Sequence, residues 1–377
     1  MAGIYLHIPF CKQACHYCDF HFSTTIRHKE RLLEAMLEEI RQRRGELGGV
    51  PADTVYFGGG TPSLLSGVEI GRLLDQLAQS FGLTRDAEIT LEANPDDLPA
   101  DRIRDLASGP VNRLSIGIQS FHETELRWMN RAHSARESEE SLSEVAERFD
   151  NYSIDLIYGI PGSTPALWQE SLERALAYEP PHISAYALTV EPATALARFI
   201  EKGVTPGVDD DRAQADFSHL VQTLGRAGYD HYEISNFGKP GYYSRNNTAY
   251  WQGKVYVGIG PSAHSFDGKS RRWNVANNQK YQRALSAGET YYEAETLTVR
   301  DRYNEAVMTG LRTQWGVSEE RVRSEFGQRY AEYLMQQAAP FLERGLLESR
   351  SGCLVATQAG KFLADGIASD LFMINLK

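Results

Sequence analysis

The sequence predicts an α/β fold in which strands and helices alternate around a barrel-like sheet, followed by a smaller C-terminal α+β domain. Three observations predict it. Strand-like and helix-like runs alternate from the N-terminus, the pattern of a parallel sheet with crossover helices. The strands carry a two-residue period with one apolar and one polar face, whereas parallel strands covered on both sides read as continuous apolar runs. After about Glu191 the alternation gives way to turns, an aromatic and glycine-rich segment, and a helical tail.

The expected strands cover residues 4–8, 54–57, 88–93, 113–119, 153–158 and 182–188. In the first, Ile4, Leu6 and Ile8 oppose Tyr5 and His7. In the third, Ile89, Leu91 and Ala93 oppose Thr90, Glu92 and Asn94. In the fourth, Leu114, Ile116 and Ile118 oppose Arg113, Ser115 and Gln119. Between the strands, Leu32, Leu33, Met36, Leu37 and Ile40 fall on one helical face, as do Leu73, Leu74 and Leu77. A barrel satisfies both patterns, with apolar residues against outer helices and polar residues around a ligand-filled interior. Past the sixth strand, Asp209, Asp210 and Asp211 start a helix ahead of Phe217, Leu220 and Leu224. Residues 229–254 have the composition of ligand-facing loops. The stretch 345–367 reads as helix, short hairpin, helix, like a small winged-helix unit. Its hairpin has few basic residues, which suits packing or substrate covering rather than DNA. The expected division is 1–235 for the barrel, 236–296 for an aromatic and glycine-rich, ligand-facing segment and 297–377 for the C-terminal domain.

Apolar content of 42% and charged content of 24% are ordinary globular values. A net charge of −11 argues against nucleic acid as a partner. No apolar run approaches the roughly 20 residues that span a bilayer, and no basic, signal-like start is present. Clustered thiols in such a chain point to a reducing, cytoplasmic setting.

Three of the four cysteines, Cys11, Cys15 and Cys18, stand as C-x3-C-x2-C directly after the first strand. Zinc prefers four closed ligands, and here only His16 and His21 could complete such a set. An iron–sulfur cubane takes thiolates at its corners, so three cysteines leave one iron free for a substrate. Tyr17, Phe20 and Phe22 would shield it.

The wording YLHIPFC…CHYCDF resembles the radical S-adenosylmethionine (SAM) superfamily, in the branch of oxygen-independent coproporphyrinogen III oxidases and HemW-type haem chaperones. The resemblance implies a partial (β/α)6 barrel, and a [4Fe–4S] cluster held by Cys11, Cys15 and Cys18. The open iron of that cluster chelates SAM and an electron cleaves the sulfonium, so a reducing electron donor is implied. Sites on such barrels lie at the C-terminal ends of the strands. By resemblance, Gly59, Gly60 and Thr61 in FGGGTP contact the SAM amino group. Glu92 in LEANPDD reaches SAM, with Asp96 and Asp97 left to cap the next helix. Gln119 and Asp155 match ribose-contacting positions, and Arg131 one that pairs with the SAM carboxylate. Tyr17 matches the backbone touching adenine, and Tyr5 joins the same set.

Two departures from the oxidase matter. A fourth cysteine of the oxidase is replaced by Phe20, and the oxidase's longer N-terminal extension is absent. Both features resemble the chaperones. In RNNTAYW, Asn247, Tyr250 and Trp251 match a haem-associated H-N-x-x-Y-W motif of that family, while Asn246 replaces its histidine. Asparagine is not a usual axial ligand, which turns attention to Tyr250 or His264. The implied function is SAM and haem binding for delivery to a haem-accepting protein. The alternative is oxidative decarboxylation of coproporphyrinogen, and a third class is a binding module around a structural metal.

Overall fold

A computed structural model of the chain describes residues 2–374. Strand β1 (Ala2–Ile8) realises the expected alternation. Ile4, Leu6 and Ile8 are fully buried in one core with Leu32, Met36 and Ile40 of helix Lys29–Gln42, and Tyr5 and His7 take the other face. Five parallel strands follow: β2 (Ala52–Gly59), β3 (Leu83–Ala93), β4 (Arg113–Gln119), β5 (Tyr152–Tyr158) and β6 (His182–Ala187). Register carries an apolar row, Ile116, Ile154 and Ile183, across the last three. The crossover helices start where local chemistry dictates. Capping boxes Ser66/Glu69 and Ser134/Glu137 open Gly67–Phe81 and Ala135–Ala146, and Thr164 with Pro165 opens Pro165–Leu176.

The sheet continues beyond six strands. A hairpin of β7 (Asp230–Glu233) and β8 (Asn236–Gly238) adds antiparallel to β6. Strand β9 (Val255–Ile259) returns to pair parallel with the other side of β1. Antiparallel strands β10 (His264–Phe266), β11 (Ser270–Asn274) and β12 (Tyr292–Thr296) complete that edge. The spatial order is β12-β11-β10-β9-β1-β2-β3-β4-β5-β6-β8-β7, open between its ends. Residues 236–296 therefore share the sheet, and Val257, Ile259, Tyr281 and Tyr291 share its core. Tyr56, Glu92, Asp155 and Tyr186, from four different strands, line one cavity, so the sheet curls into a partial barrel.

The C-terminal unit packs helices Val299–Leu311, Glu319–Phe326 and Gln328–Glu343 with a small sheet. That sheet orders β13 (Val317–Ser318), β15 (Cys353–Ala356) and β14 (Leu347–Arg350). Its apolar core, around Tyr303, Leu311, Leu334 and Leu354, is separate from that of the barrel. No helix among the described residues is long and apolar enough to cross a membrane.

Candidate functional site

The cysteines sit on the loop after β1, and the fold pins that loop at both ends. Cys11 N–H donates to Ser23 O (3.1 Å), and Ser23 N–H to Pro9 O (2.9 Å). Farther along, His16 N–H reaches Met129 O (3.1 Å) and Leu196 N–H reaches His16 O (2.8 Å). Asn130, in the left-handed region at φ 59°, donates to Ala14 O (2.7 Å) and accepts from Gln13 Nε2 (2.6 Å). Lys12 pairs with Asp96 (2.8 Å) and with Asp97. These two aspartates, expected to cap the next helix, instead lie in a short 3-10 turn that directs them to the cysteine loop. Helix Ala100–Ala107 begins at Pro99 without a side-chain cap.

All three thiols are free and half-buried, and all three line a cavity of about 420 Å³ at the C-terminal ends of the strands. Burial pushes the Cys11 thiol up and the Cys18 thiol up to about 12. Among the described residues no three His, Cys, Asp or Glu side chains converge to chelate a single ion. Three thiols on one cavity suit a cubane, which takes one thiolate per iron, whereas a structural zinc takes four closed ligands. His16 and His21, the histidines that could have completed a zinc set, do not line the cavity that the cysteines share. His16 Nδ1 binds Trp128 O (2.8 Å), and His21 Nε2 binds Asn278 Oδ1 (2.8 Å). The donor set fits an iron–sulfur cluster.

The walls carry the expected residues. Tyr17, Gly59, Gly60, Thr61, Glu92, Gln119, Arg131, Asp155 and Asn247 all line the cavity. Tyr5 stacks behind it on Tyr56 at 6.1 Å. The glycines are required by the protein's own packing as well as by any ligand. A Cβ on Gly59 would lie 2.6 Å from the His7 ring, and one on Gly60 would lie 2.6 Å from Phe10 O. Glu92 accepts from Tyr56 Oη (2.8 Å) and Gly59 N–H (3.2 Å), yet desolvation pushes its carboxyl up to about 7. Asp155 accepts from Ser115 and Ser153, both at 2.9 Å, and burial raises it as well. Gln119 ends β4 at φ 64°, a conformation uncommon outside glycine and of the kind found at ligand clamps.

Arg131 is fixed before any ligand arrives. Its Nη2 donates to Asn94 Oδ1 (2.6 Å) and Gly117 O (3.0 Å), and its Nη1 lies 3.4 Å from both Cys15 Sγ and Tyr17 Oη. The buried Nε has no acceptor among the described residues, which leaves a donor for an anion. The sequence reading missed Lys12, Asn94 and Asn130 as positioning groups. Only the tolerance of asparagine for the left-handed region hinted at Asn130.

Helix Arg245–Trp251 holds the remaining candidates: Tyr250 and Trp251 pack edge to face at 5.2 Å, and Asn247 points elsewhere. It begins against Glu88, which accepts from the N–H groups of Arg245 (2.9 Å) and Asn246 (3.2 Å). Asn246 Oδ1 accepts from Thr54 Oγ1 (3.3 Å), while Asn247 reaches the cavity. One turn later Tyr250 is exposed in a separate groove with Tyr256, Phe266, Arg271 and Phe326, and Trp251 lies under Arg312 at 5.0 Å. His264 is exposed on β10, its ring stacked on Trp273.

Comparison with known proteins agrees with this geometry. A model described as the radical SAM superfamily matches residues 5–175, and one described as the HemN C-terminal domain matches 297–363. Haem chaperone HemW of Bacillus subtilis is 31% identical over 371 residues, covering 97% of this chain and 98% of that protein. HemW of Mycobacterium tuberculosis is 35% identical over 376 residues, covering 98% and 94%. The solved structure of coproporphyrinogen III oxidase (HemN) from Escherichia coli, a radical SAM enzyme, superposes with a TM-score of 0.85 at 25% identity. That match covers 99% of this chain and 90% of HemN.

Proposed function

The chain belongs to the radical SAM superfamily, in the HemW-type branch, and from that premise we propose that it is a SAM-dependent haem chaperone of the cytoplasm. Cys11, Cys15 and Cys18 would hold a [4Fe–4S] cluster, with SAM at the open iron. When bound, that cluster supplies an electron to the SAM sulfonium. The chain's own residues orient the nucleotide. Glu92, beside Gly59 and Gly60, receives its ammonium, and the orphaned Arg131 Nε suits its carboxylate. Gln119 and Asp155 stand for the ribose, and Tyr17 walls the adenine side. Haem would associate through the outer end of helix Arg245–Trp251, where exposed Tyr250 is the side chain able to ligate iron. An electron donor and a haem-accepting protein complete the cycle.

One observation carries the reading: three free thiols line the same cavity as a fixed arginine and a carboxyl held near neutrality. Anaerobic reconstitution should give about four irons and four sulfides per chain, and hemin titration should shift the Soret band. Zinc in place of sulfide would end the account. The second reading, coproporphyrinogen oxidation, is favoured by the likeness to HemN. Against it, Phe20 stands at the mouth of the cavity where the oxidase has its fourth cysteine. Loss of carboxylate from coproporphyrinogen, with SAM and reductant under anaerobic conditions, would establish that alternative instead.

A further inference from the structure

Arg113, the first residue of β4, is the bulkiest fully buried side chain among the described residues, only 1% exposed. It lines the cavity at the N-terminal ends of the strands, with Asn247 of the adjoining helix, across from the cysteines. Among the described residues its guanidinium donates no hydrogen bond and has no carboxylate within ion-pair distance, and its enclosed Nε is orphaned. The Asn247 side chain likewise makes no hydrogen bond among the described residues. The cavity's carboxylates on the strands beside β4 are committed elsewhere, Asp155 to Ser115 and Ser153, Glu92 to Tyr56 and Gly59.

A guanidinium stays charged at any physiological pH, and burying it unpaired is costly. The same protein shows what a structural buried arginine looks like. Arg43, 2% exposed, is saturated by Glu39, Glu46, Gly258 O and Ser265. Arg113 is built otherwise, and its free donors open on the cavity. We propose that Arg113, with Asn247 beside it, is a carboxylate-binding subsite on the cavity floor, for a ligand held alongside the SAM of the function proposed above. A planar fork matches a carboxylate bidentately. The nearby Asp155 and Glu92 disfavour a doubly charged phosphate. The carboxylate can come from a free small acid or from the propionate arm of a tetrapyrrole. The proposal rests on the SAM reading only for what else fills the cavity.

The test uses the full chain with its cluster reconstituted, as wild type, Arg113→Gln and Arg113→Lys, each checked for an unchanged melt. Labelled propionate and SAM are measured separately by equilibrium dialysis. Haem and haem dimethyl ester, whose carboxylates are masked, are titrated optically. Propionate affinity should fall by about tenfold or more in Arg113→Gln and less in Arg113→Lys, the scale of a charge-assisted hydrogen bond. SAM affinity should not change. A wild-type preference for haem over its diester, erased in Arg113→Gln, identifies the arm of a tetrapyrrole as the ligand. Propionate binding without that preference identifies a free acid. Equal propionate binding by wild type and Arg113→Gln overturns the subsite, and so does no binding by either with haem and diester equal. SAM affinity that falls with Arg113 also overturns it, since the arginine would then serve the nucleotide. Wild type that binds propionate but no haem sinks the chaperone reading and leaves the subsite standing.

Discussion

Desolvation pushes Glu92 up to about 7 even though two donors favour its ionised form, so near neutral pH the group is divided between protonated and charged states. A SAM ammonium beside it draws it to the carboxylate. SAM affinity should therefore rise between pH 6 and 8 and flatten above. Glu92→Gln should bind about tenfold more weakly with no such slope; a flat wild-type profile by dialysis counts against this role. Linkage gives a second readout in nucleotide-free protein. The folded value lies above the ordinary 4.5, so this group's stabilisation is full below about 4.5 and is lost as pH rises through about 7. Glu92→Gln should lack that loss in melts across the window. A second residue-scale test concerns haem. Asn246 is tied to Thr54 and Glu88, away from the groove that Tyr250 faces. Asn246→His should leave the hemin Soret band unchanged, and Tyr250→Phe should shift it and weaken binding several-fold. The reverse pattern would place the iron on the other side of the helix.

At the scale of elements, the cysteine loop owes its shape to side chains outside it. Asn130→Gly keeps the left-handed backbone and removes the clasp on Gln13 and Ala14. The melt should move by no more than a surface change would, while a chelator strips iron several-fold faster; an unchanged release rate would show that the clasp is dispensable. This division also explains what the sequence could show. The first six strands were readable because Ile4, Leu6 and Ile8, and their counterparts in β3 and β4, alternate with polar residues over five to seven positions and are separated by helix-length runs. Strands β7 to β12 were not, since they run three to five residues, and all five residues of β12 are exposed. The cysteines, the glycines and Glu92 could be read by resemblance. Lys12 and Asn130 could not, because their partners lie 84 and 117 residues away in the chain. Asp96 and Asp97 looked like caps because short-range chemistry was the only chemistry visible. Arg113 was placed on the polar face correctly, but its lack of a partner is a three-dimensional fact.

At the scale of the molecule, two apolar cores meet at Ile234, which packs on both, and at Phe362, which packs on Phe217, and polar contacts tie the same joint. Ile234 N–H donates to Arg312 O and Gln314 N–H to Tyr232 O, both at 3.0 Å, so the C-terminal unit is docked on β7. Arg312 pairs with Glu233 (3.0 Å) and Asp365 (2.7 Å) and lies over Trp251. Glu233 is 1% exposed, and without Arg312 it would keep only the Ser235 N–H and the Asn236 side chain. Removing one partner of a buried ion pair costs about 3–5 kcal/mol. The remaining donors reduce that for Arg312→Ala to about 2–3 kcal/mol. The loss falls on the joint, so the single melt expected of the docked chain should split, with the C-terminal unit unfolding first. Helix Arg245–Trp251 spans the same joint, from Glu88 at the barrel floor to Arg312. The variant should therefore bind haem more weakly while its SAM affinity, set by residues of the barrel wall, stays at the wild-type value. A single transition with haem binding intact would mean that the two units are held by contacts other than this arginine.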